Sequence, residues 1–314
     1  MLRSEIFEIL VCPGCKGPLE RVDAALSCEG CAISYPIIDG IPVLISDDKS
    51  LFSISDFIEK RNTTYCTPSW LGRLAHRIVP SISVNLRSRS NFKTFFDGVR
   101  TRRPSPRVLI IGGAVEGKGM GSTSLDRSIQ LIETDVAFGD RTALICDAHD
   151  LPFADGSMDG VIAQAVLEHV IDPFRCVNEV ERVLASGGLV YAETPFMQAV
   201  HMGRFDFFRF SHLGHRKLFQ RFSELSSGPV AGAGTSLAWA YAFFLRSFFS
   251  NRKLQSAAFA FGSLTGFWLK YFDHLLIDNP GSFDAASAFY FVGQKSDAPI
   301  DNRRLIAGYR GGFQ

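Results

Sequence analysis

The chain lacks a dominant charge: among 314 residues, 33 Lys and Arg stand against 32 Asp and Glu, a formal net charge of +1. A protein so balanced is not a wholesale polyanion binder. It also lacks any apolar run of the roughly 20 residues that a membrane-spanning helix needs. Its most apolar stretches, 236–245 and 257–269, are each too short, and Arg246, Arg252 and Lys253 break them apart. The first ten residues lack the apolar core of a cleavable signal segment, because Glu5 and Glu8 stand where it would lie, so the chain is expected in the cytoplasm. Gly112, Gly113, Gly117, Gly119 and Gly121 follow neither the G-x-G-x-x-G dinucleotide spacing nor that of the P-loop.

What is present begins with size and apolar content. At 46% hydrophobic residues, the chain can bury a full core and a small accessory module. The run from Cys146 to Val170 is the most informative. Val161, Ile162 and Ala163 form a compact apolar strand between an Asp-Gly and a helix-like Leu-Glu-His, with polar clusters before it. Open parallel sheets bind ligands at the carboxyl ends of their strands, which puts Asp147, His149 and Asp150 on the ligand side of a strand at 143–146, where an adenine would be held. Val108-Leu-Ile-Ile-Gly-Gly reads as a first strand running into a glycine turn, and Gln130 to Thr134 as a second, ending at Asp135, whose carboxylate can accept both hydroxyls of a ribose. Phe174, Val177, Val180, Val183 and Leu184 trace an amphipathic helix closed by Gly187-Gly188, with a fifth strand at 189–193.

Four of the seven cysteines form two C-x-x-C knuckles, Cys12/Cys15 and Cys28/Cys31, with twelve residues between them. That spacing suits a tetrahedral zinc filled by four thiolates, with no open position for substrate, so the metal would hold the fold. A pair of disulfides is the alternative, disfavoured in the cytoplasm. Cys66, Cys146 and Cys176 have no such spacing and read as small apolar residues. Past the knuckles, Ile33 to Ile45 reads as two short strands around an Asp-Gly turn.

Cys12 to Ile45, with its four cysteines, Tyr-Pro-Ile and Asp39-Gly-Ile-Pro-Val-Leu, resembles the Trm112-like zinc ribbons, small domains that partner or precede methyltransferases. Arg107 to Lys295 resembles the class I S-adenosylmethionine-dependent methyltransferases, in the type 11-like group. The resemblance implies that Gly112 and Ala114 face the methionine moiety, that Asp135 holds the ribose, that Asp147 and Ala148 contact the adenine, and that Gln164 and the Leu167-Glu168-His169-Val170 stretch lie beside the methyl group. One departure is plain: where the family carries an acid two residues before its first glycine, this chain has Ile110, with Ala114 and Glu116 at later glycine positions. Either Glu116 substitutes from the loop, or cosubstrate binding is weakened.

Methyl transfer asks little of side chains beyond alignment and exclusion of water, except that a hydroxyl acceptor needs a base, for which His is the natural choice. His201, Asp206, Arg209, His212 and His215 crowd the segment beyond the fifth strand. Its His-Asp-Arg order resembles a segment of glycan methylases, which makes Asp206 and Arg209 substrate-site candidates, His201 the first candidate for the base and His169 the second. Loop histidines that merely hydrogen-bond are the plainer alternative.

The expected architecture is α/β: a doubly wound, mostly parallel Rossmann-like sheet with an antiparallel last strand at 287–295, plus a small N-terminal zinc ribbon. Residues 1–46 form the ribbon, 47–106 a connector with a helix around Phe92, Phe95, Phe96 and Val99, and 107–296 the methyltransferase domain. An aromatic cap insertion at about 200–280 and a disordered tail at 297–314 complete it. The aromatic stretches read first as buried cap helices. With the nine Lys and Arg between Thr67 and Arg107, against Asp97 alone, they read second as an interfacial surface for a lipid-linked acceptor. The expected partner is a small-molecule or glycan acceptor, with a peripheral membrane surface as a further one. Nucleic acid is not expected, since no aromatic-plus-basic motif is present and Ala163-Gln164-Ala165-Val166 stands where amide methylases carry Asn-Pro-Pro-Tyr. A non-catalytic adaptor on a degenerate methyltransferase fold is the rival from another class, and the oligomeric state stays open.

Overall fold

The computed structural model describes residues 4–60, 79–121 and 128–313. Cys66 and the start of the basic run, including Arg73 and Arg77, lie outside them. The strands are β1 (Glu20–Val22), β2 (Ala25–Cys28), β3 (Ile33–Ile38), β4 (Ile41–Leu44), β5 (Arg107–Ile111), β6 (Gln130–Asp135), β7 (Leu144–Cys146), β8 (Met158–Gln164), β9 (Leu184–Pro195), β10 (Phe222–Ala231) and β11 (Ala288–Lys295). The longer helices are α1 (Ser88–Arg100), α2 (Pro173–Val183), α3 (His212–Leu218), α4 (Ala233–Arg246) and α5 (Arg252–Gly266).

Strands β5, β7 and β8 are buried along almost their whole length because both faces of their sheet are covered. On one face α1 packs Phe92, Phe95, Phe96 and Val99, all fully buried, against Ile110, Ile162, Tyr191 and Val292. Truncating any of these three phenylalanines to Ala would cost about 3–5 kcal/mol. Gly160 in β8 admits the helix, since a Cβ there would stand 2.7 Å from the Phe95 ring. On the other face α2 sets Cys176, Val177, Val180 and Val183 against Leu109, Val161 and Val190. The sheet is therefore doubly wound, in the order β7-β6-β5-β8-β9-β11-β10. Strands β5 to β9 pair in parallel, while β11 runs antiparallel between β9 and β10, with Tyr290 opposite Glu193.

The ribbon is not an appended module. Its β3–β4 hairpin turns through Asp39 and Gly40, whose positive φ values of 51° and 83° suit a tight hairpin turn. Strand β4 then pairs in parallel with β7, Val43 opposite Ile145 and Leu44 opposite Cys146. Ribbon and core thus share one 11-stranded sheet. Backbone bonds from Val11 N to Pro152 O (3.0 Å) and from Ala154 N to Ile9 O (2.9 Å) fix the knuckle side to the chain that follows β7.

Four expectations change. Helix α2 ends at Val183 rather than at the glycine pair, because Leu184 is fully buried and the chain turns extended there; Gly187, at φ 67°, lies within the first part of β9. Strand β10 runs through the segment expected as a cap insertion. The cap helices are not buried: α4 and α5 meet through small residues, with Gly262 against Ala242, and leave Leu237, Phe244, Phe261 and Leu264 exposed. The closing stretch, expected as a disordered tail, carries a helix at Asn302–Ala307 that Asp301 caps and Leu305 anchors. Arg216 fastens it by donating to the Leu305 and Gly308 carbonyls.

Candidate functional site

At the ribbon, the Sγ atoms of Cys12, Cys15, Cys28 and Cys31 all lie within 4.8 Å of one another, and the cysteines are free thiols. Cys12 and Cys31 are 3.9 Å apart, Cys15 and Cys28 3.5 Å. A tetrahedral zinc with Zn–S bonds of about 2.3 Å requires sulfurs about 3.8 Å apart, so the four fit that ion. Each knuckle closes tightly: Lys16 N donates to Cys12 O and Cys12 N to Gly17 O, both at 2.8 Å, and Lys16 and Ala32 take the positive φ that such turns need. The Tyr35 hydroxyl lies 3.1 Å from Cys12 Sγ.

The carboxyl ends of β5, β6 and β7 converge on the expected nucleoside side. Gly112, at φ 74°, turns the chain out of β5 in a conformation that strains any residue with a Cβ. Asp135, at the end of β6, accepts the Ala114 amide at 3.1 Å, while burial pushes its carboxyl above the ordinary range. Ala114 and Asp135 are thus brought together. Asp147 and Ala148 follow β7 directly, both buried. The Asp147 carboxylate is already engaged: Oδ1 accepts from the His149 amide (3.0 Å) and meets its Nδ1 (2.6 Å), and Oδ2 accepts from Ser50 Oγ (2.6 Å). Burial works against its charge, but the His149 contacts and Ser50 still hold it below the usual carboxylate range. The Ala148 and Asp150 end of this turn is anchored by Arg175, which pairs with Asp150. Ile110, where the resemblance wants an acid, is buried, and Glu116 faces Arg141 across the loop at 3.6 Å.

At the end of β8, Gln164 Nε2 donates to Lys118 O and to Glu193 Oε2, both at 2.9 Å. This ties the glycine loop to β9, and a Cβ at Gly117 would collide with Gln164 Oε1. Glu193, buried at the end of β9, also accepts from Ser88 Oγ (2.6 Å) and from the Tyr191 hydroxyl; burial raises its carboxyl. Sequence reasoning gave Glu193 and Ser50 no role, and nothing in their local pattern marks them.

Beyond β8 and β9 a second cluster assembles. Glu168 is completely buried, and neither of its oxygens has a hydrogen-bond partner among the described residues. Burial pushes its carboxyl up to about 8. His169 Nε2 lies 3.5 Å and His201 Nε2 3.8 Å from Glu168 Oε1, and the two imidazoles meet edge to face at 4.9 Å. The ring of His169 is aimed by its Nδ1 contact with Phe205 O (2.7 Å); burial lowers it to about 4. His201 is lowered as well, also by burial, and its Nδ1 faces Asp206 Oδ2 at 3.5 Å. Asp206 accepts the His201 amide (2.8 Å) and a two-point ion pair from Arg209, and despite its burial these hold it down at about 2. His201, Asp206 and Arg209 therefore come together as one unit around His169. His212 and His215 do not join them: they are buried among Phe283, Phe289, Phe219 and Phe291. Glu168 is the member that sequence reasoning left without a role, although it sits next to His169 in the singled-out stretch.

Family models match two parts of the chain: a Trm112p-like protein over residues 3–40 and a methyltransferase domain over residues 117–192. A UPF0434 protein of Methylobacillus flagellatus is 41% identical over 58 residues, 18% of this chain and 97% of that protein. One of Azotobacter vinelandii is 34% identical over 58 residues, 18% and 95%. Among solved structures, a geranyl diphosphate C-methyltransferase from Streptomyces coelicolor aligns with TM-score 0.41 at 13% identity, over 66% of this chain and 76% of that one. A Haemonchus contortus phosphoethanolamine N-methyltransferase aligns with TM-score 0.43 at 16% identity, over 82% and 62%. These two likenesses are too loose to transfer anything. With four thiols in zinc-ribbon geometry and a doubly wound sheet behind them, the chain belongs through its N-terminal ribbon to the UPF0434, Trm112p-like family and carries a methyltransferase domain joined to that ribbon in one sheet.

Proposed function

We propose that this chain transfers a methyl group from S-adenosylmethionine to a small-molecule or saccharide acceptor. The observation that carries this is a convergence at one sheet edge: the Ala114–Asp135 contact and the Asp147–Ala148 turn on one side of β8, and the His169, His201, Asp206 and Arg209 cluster on the other. The residues fit the cosubstrate in outline. Gly112 turns the chain out of β5 with its missing Cβ making room for Val166, Asp135 presents a carboxylate for ribose hydroxyls, and the Ala148 turn stands at the end of β7, where adenine would lie. The cosubstrate supplies a methyl carbon already activated by its sulfonium. The protein's share is to align the acceptor, keep water out and, for a hydroxyl acceptor, take a proton. His201 is the assigned proton acceptor, with His169 second; Asp206 and Arg209 orient His201 and present charge to the acceptor.

The acceptor is carried on a lipid. Phe244, Phe248, Phe261, Trp268 and Leu275 are exposed on and after α4 and α5, with Arg246, Arg252 and Lys253 exposed beside them. Exposed aromatic side chains with exposed cations near them in the chain suit an anionic membrane surface. No helix among the described residues is long and apolar enough to cross a membrane. Flotation with anionic vesicles is expected to carry the protein, and Phe248→Asp with Trp268→Asp to abolish that; failure of the parent protein to float removes the lipid part alone.

Calorimetric titration of S-adenosylmethionine into zinc-replete protein tests the activity. Micromolar binding supports the enzyme, and no binding favours the adaptor, for which the buried Ile110 is the specific sign.

A further inference from the structure

We propose that Glu168, His169 and His201 form a binding site for a divalent transition-metal ion. One ligand atom from each lies within 4.8 Å of the others. Glu168 Oε1 stands 3.5 Å from His169 Nε2 and 3.8 Å from His201 Nε2. Ligands held about 2.1 Å from a tetrahedral ion lie about 3.4 Å apart, close to both distances from Glu168, and the two histidine nitrogens stand within 4.8 Å of each other.

Three features separate this cluster from a chance grouping. The Glu168 carboxyl is fully buried with both oxygens unpartnered among the described residues, although a buried polar group normally finds a hydrogen bond. Both imidazoles turn Nε2 inward, and each is held from behind: Phe205 O stands at Nδ1 of His169, and Ala199 O (3.4 Å), with Asp206 Oδ2 beside it (3.5 Å), at Nδ1 of His201. Metal-binding histidines are oriented in this way by a carbonyl or carboxylate on the other nitrogen. Finally, His201 keeps its side chain 25% exposed, which leaves an entry path and an open side.

The donor set fixes the class of ion. Two imidazoles and one carboxylate suit Mn2+, Fe2+, Co2+ or Zn2+, whereas Ca2+ and Mg2+ prefer oxygen throughout. The ribbon, being all thiolate, competes for zinc and not for Mn2+. With the ion in place, His201 is a ligand rather than a base. An acceptor hydroxyl on the open side would then be made acidic by the cation. That last role rests on the methyl-transfer proposal; binding of the ion does not.

The test is a titration of Mn2+ alone into protein carrying one zinc per chain, without S-adenosylmethionine, followed by electron paramagnetic resonance of free Mn2+ and by calorimetry. One Mn2+ per chain is expected in addition to the ribbon zinc. Binding should be lost in His201→Ala and in Glu168→Gln, weakened on the order of 10- to 100-fold in Asp206→Asn, and unchanged in the exposed His274→Ala. Circular dichroism of each variant separates misfolding from loss of a ligand, and His201→Ala, in an irregular segment, decides the matter if Glu168→Gln does not fold. No binding by the parent protein, or equal binding by the parent and His201→Ala, overturns the site. Cosubstrate binding is measured apart, so either proposal can fail while the other stands.

Discussion

Ser50 Oγ donates a 2.6 Å hydrogen bond to Asp147 Oδ2, so the segment leaving the ribbon holds a carboxylate at the ligand end of β7. Ser50→Ala should cost about 1 kcal/mol of stability at neutral pH. The pH dependence has a definite sign. Folded Asp147 lies below the usual carboxylate range, so its contribution is present above an unfolded pKa of about 3.9 and is lost as pH falls through the folded value. The variant is expected to begin acid unfolding at higher pH than the parent, as followed by circular dichroism; coincident acid transitions would deny Ser50 this role.

The ribbon should bind one zinc per chain, and chelation with thiol modification should release it together with the ribbon's structure. Because β4 pairs with β7, the zinc-free protein is expected to bind S-adenosylmethionine more weakly, not only to melt earlier. Metal content by atomic absorption, set beside cosubstrate calorimetry, checks this; full affinity in zinc-free protein would show that the ribbon does not support the site.

Asp135→Ala removes both the proposed ribose acceptor and the tether on the Ala114 amide. A hydrogen bond to a charged group contributes about 1.5–3 kcal/mol, so cosubstrate affinity should fall about 10- to 100-fold. A change of less than threefold at an unaltered melting temperature would take the ribose away from Asp135.

His215 is buried against Phe219 and Phe291, and burial, reinforced by His212, lowers it to about 3. Its folded pKa lies below the unfolded value of about 6.5, so its stabilising share is complete above pH 6.5 and is lost as pH falls. Relative to pH 7.5, the loss at pH 5 is about 2 kcal/mol. His215→Phe is therefore expected to gain melting temperature relative to the parent at pH 5 and not at pH 7.5. Parallel pH profiles for the two proteins would contradict it.

Much of the sheet could be read from the chain because its signals are local. The Phe92, Phe95, Phe96 and Val99 spacing fixes a helix, and the apolar runs of β5 and β8 bounded by Gly and Asp fix buried strands. The order His201, Asp206, Arg209 likewise places three polar groups within one loop, and they do meet. What escaped is non-local. Strand β10 carries Ser223, Ser226, Ser227 and Pro229, and it is a strand only because β11 lies beside it. The closing helix holds through the single apolar anchor Leu305 and the Arg216 bonds. The pairing of β4 with β7 joins residues about 100 positions apart, and no periodicity records it. Glu168 takes its place in the Leu167–Val170 stretch without a role of its own until its burial is seen.

The β4–β7 ladder pairs only Val43 and Leu44 with Ile145 and Cys146, and the backbone bonds of Val11 and Ala154 complete the contact. Carried on one polypeptide, the same contact is an encounter at an effective concentration in the millimolar range rather than the far lower abundance of a free partner. The ribbon therefore cannot be titrated away, shared among rival enzymes or diluted out, and its supply is matched one to one with the domain it supports each time the chain is made.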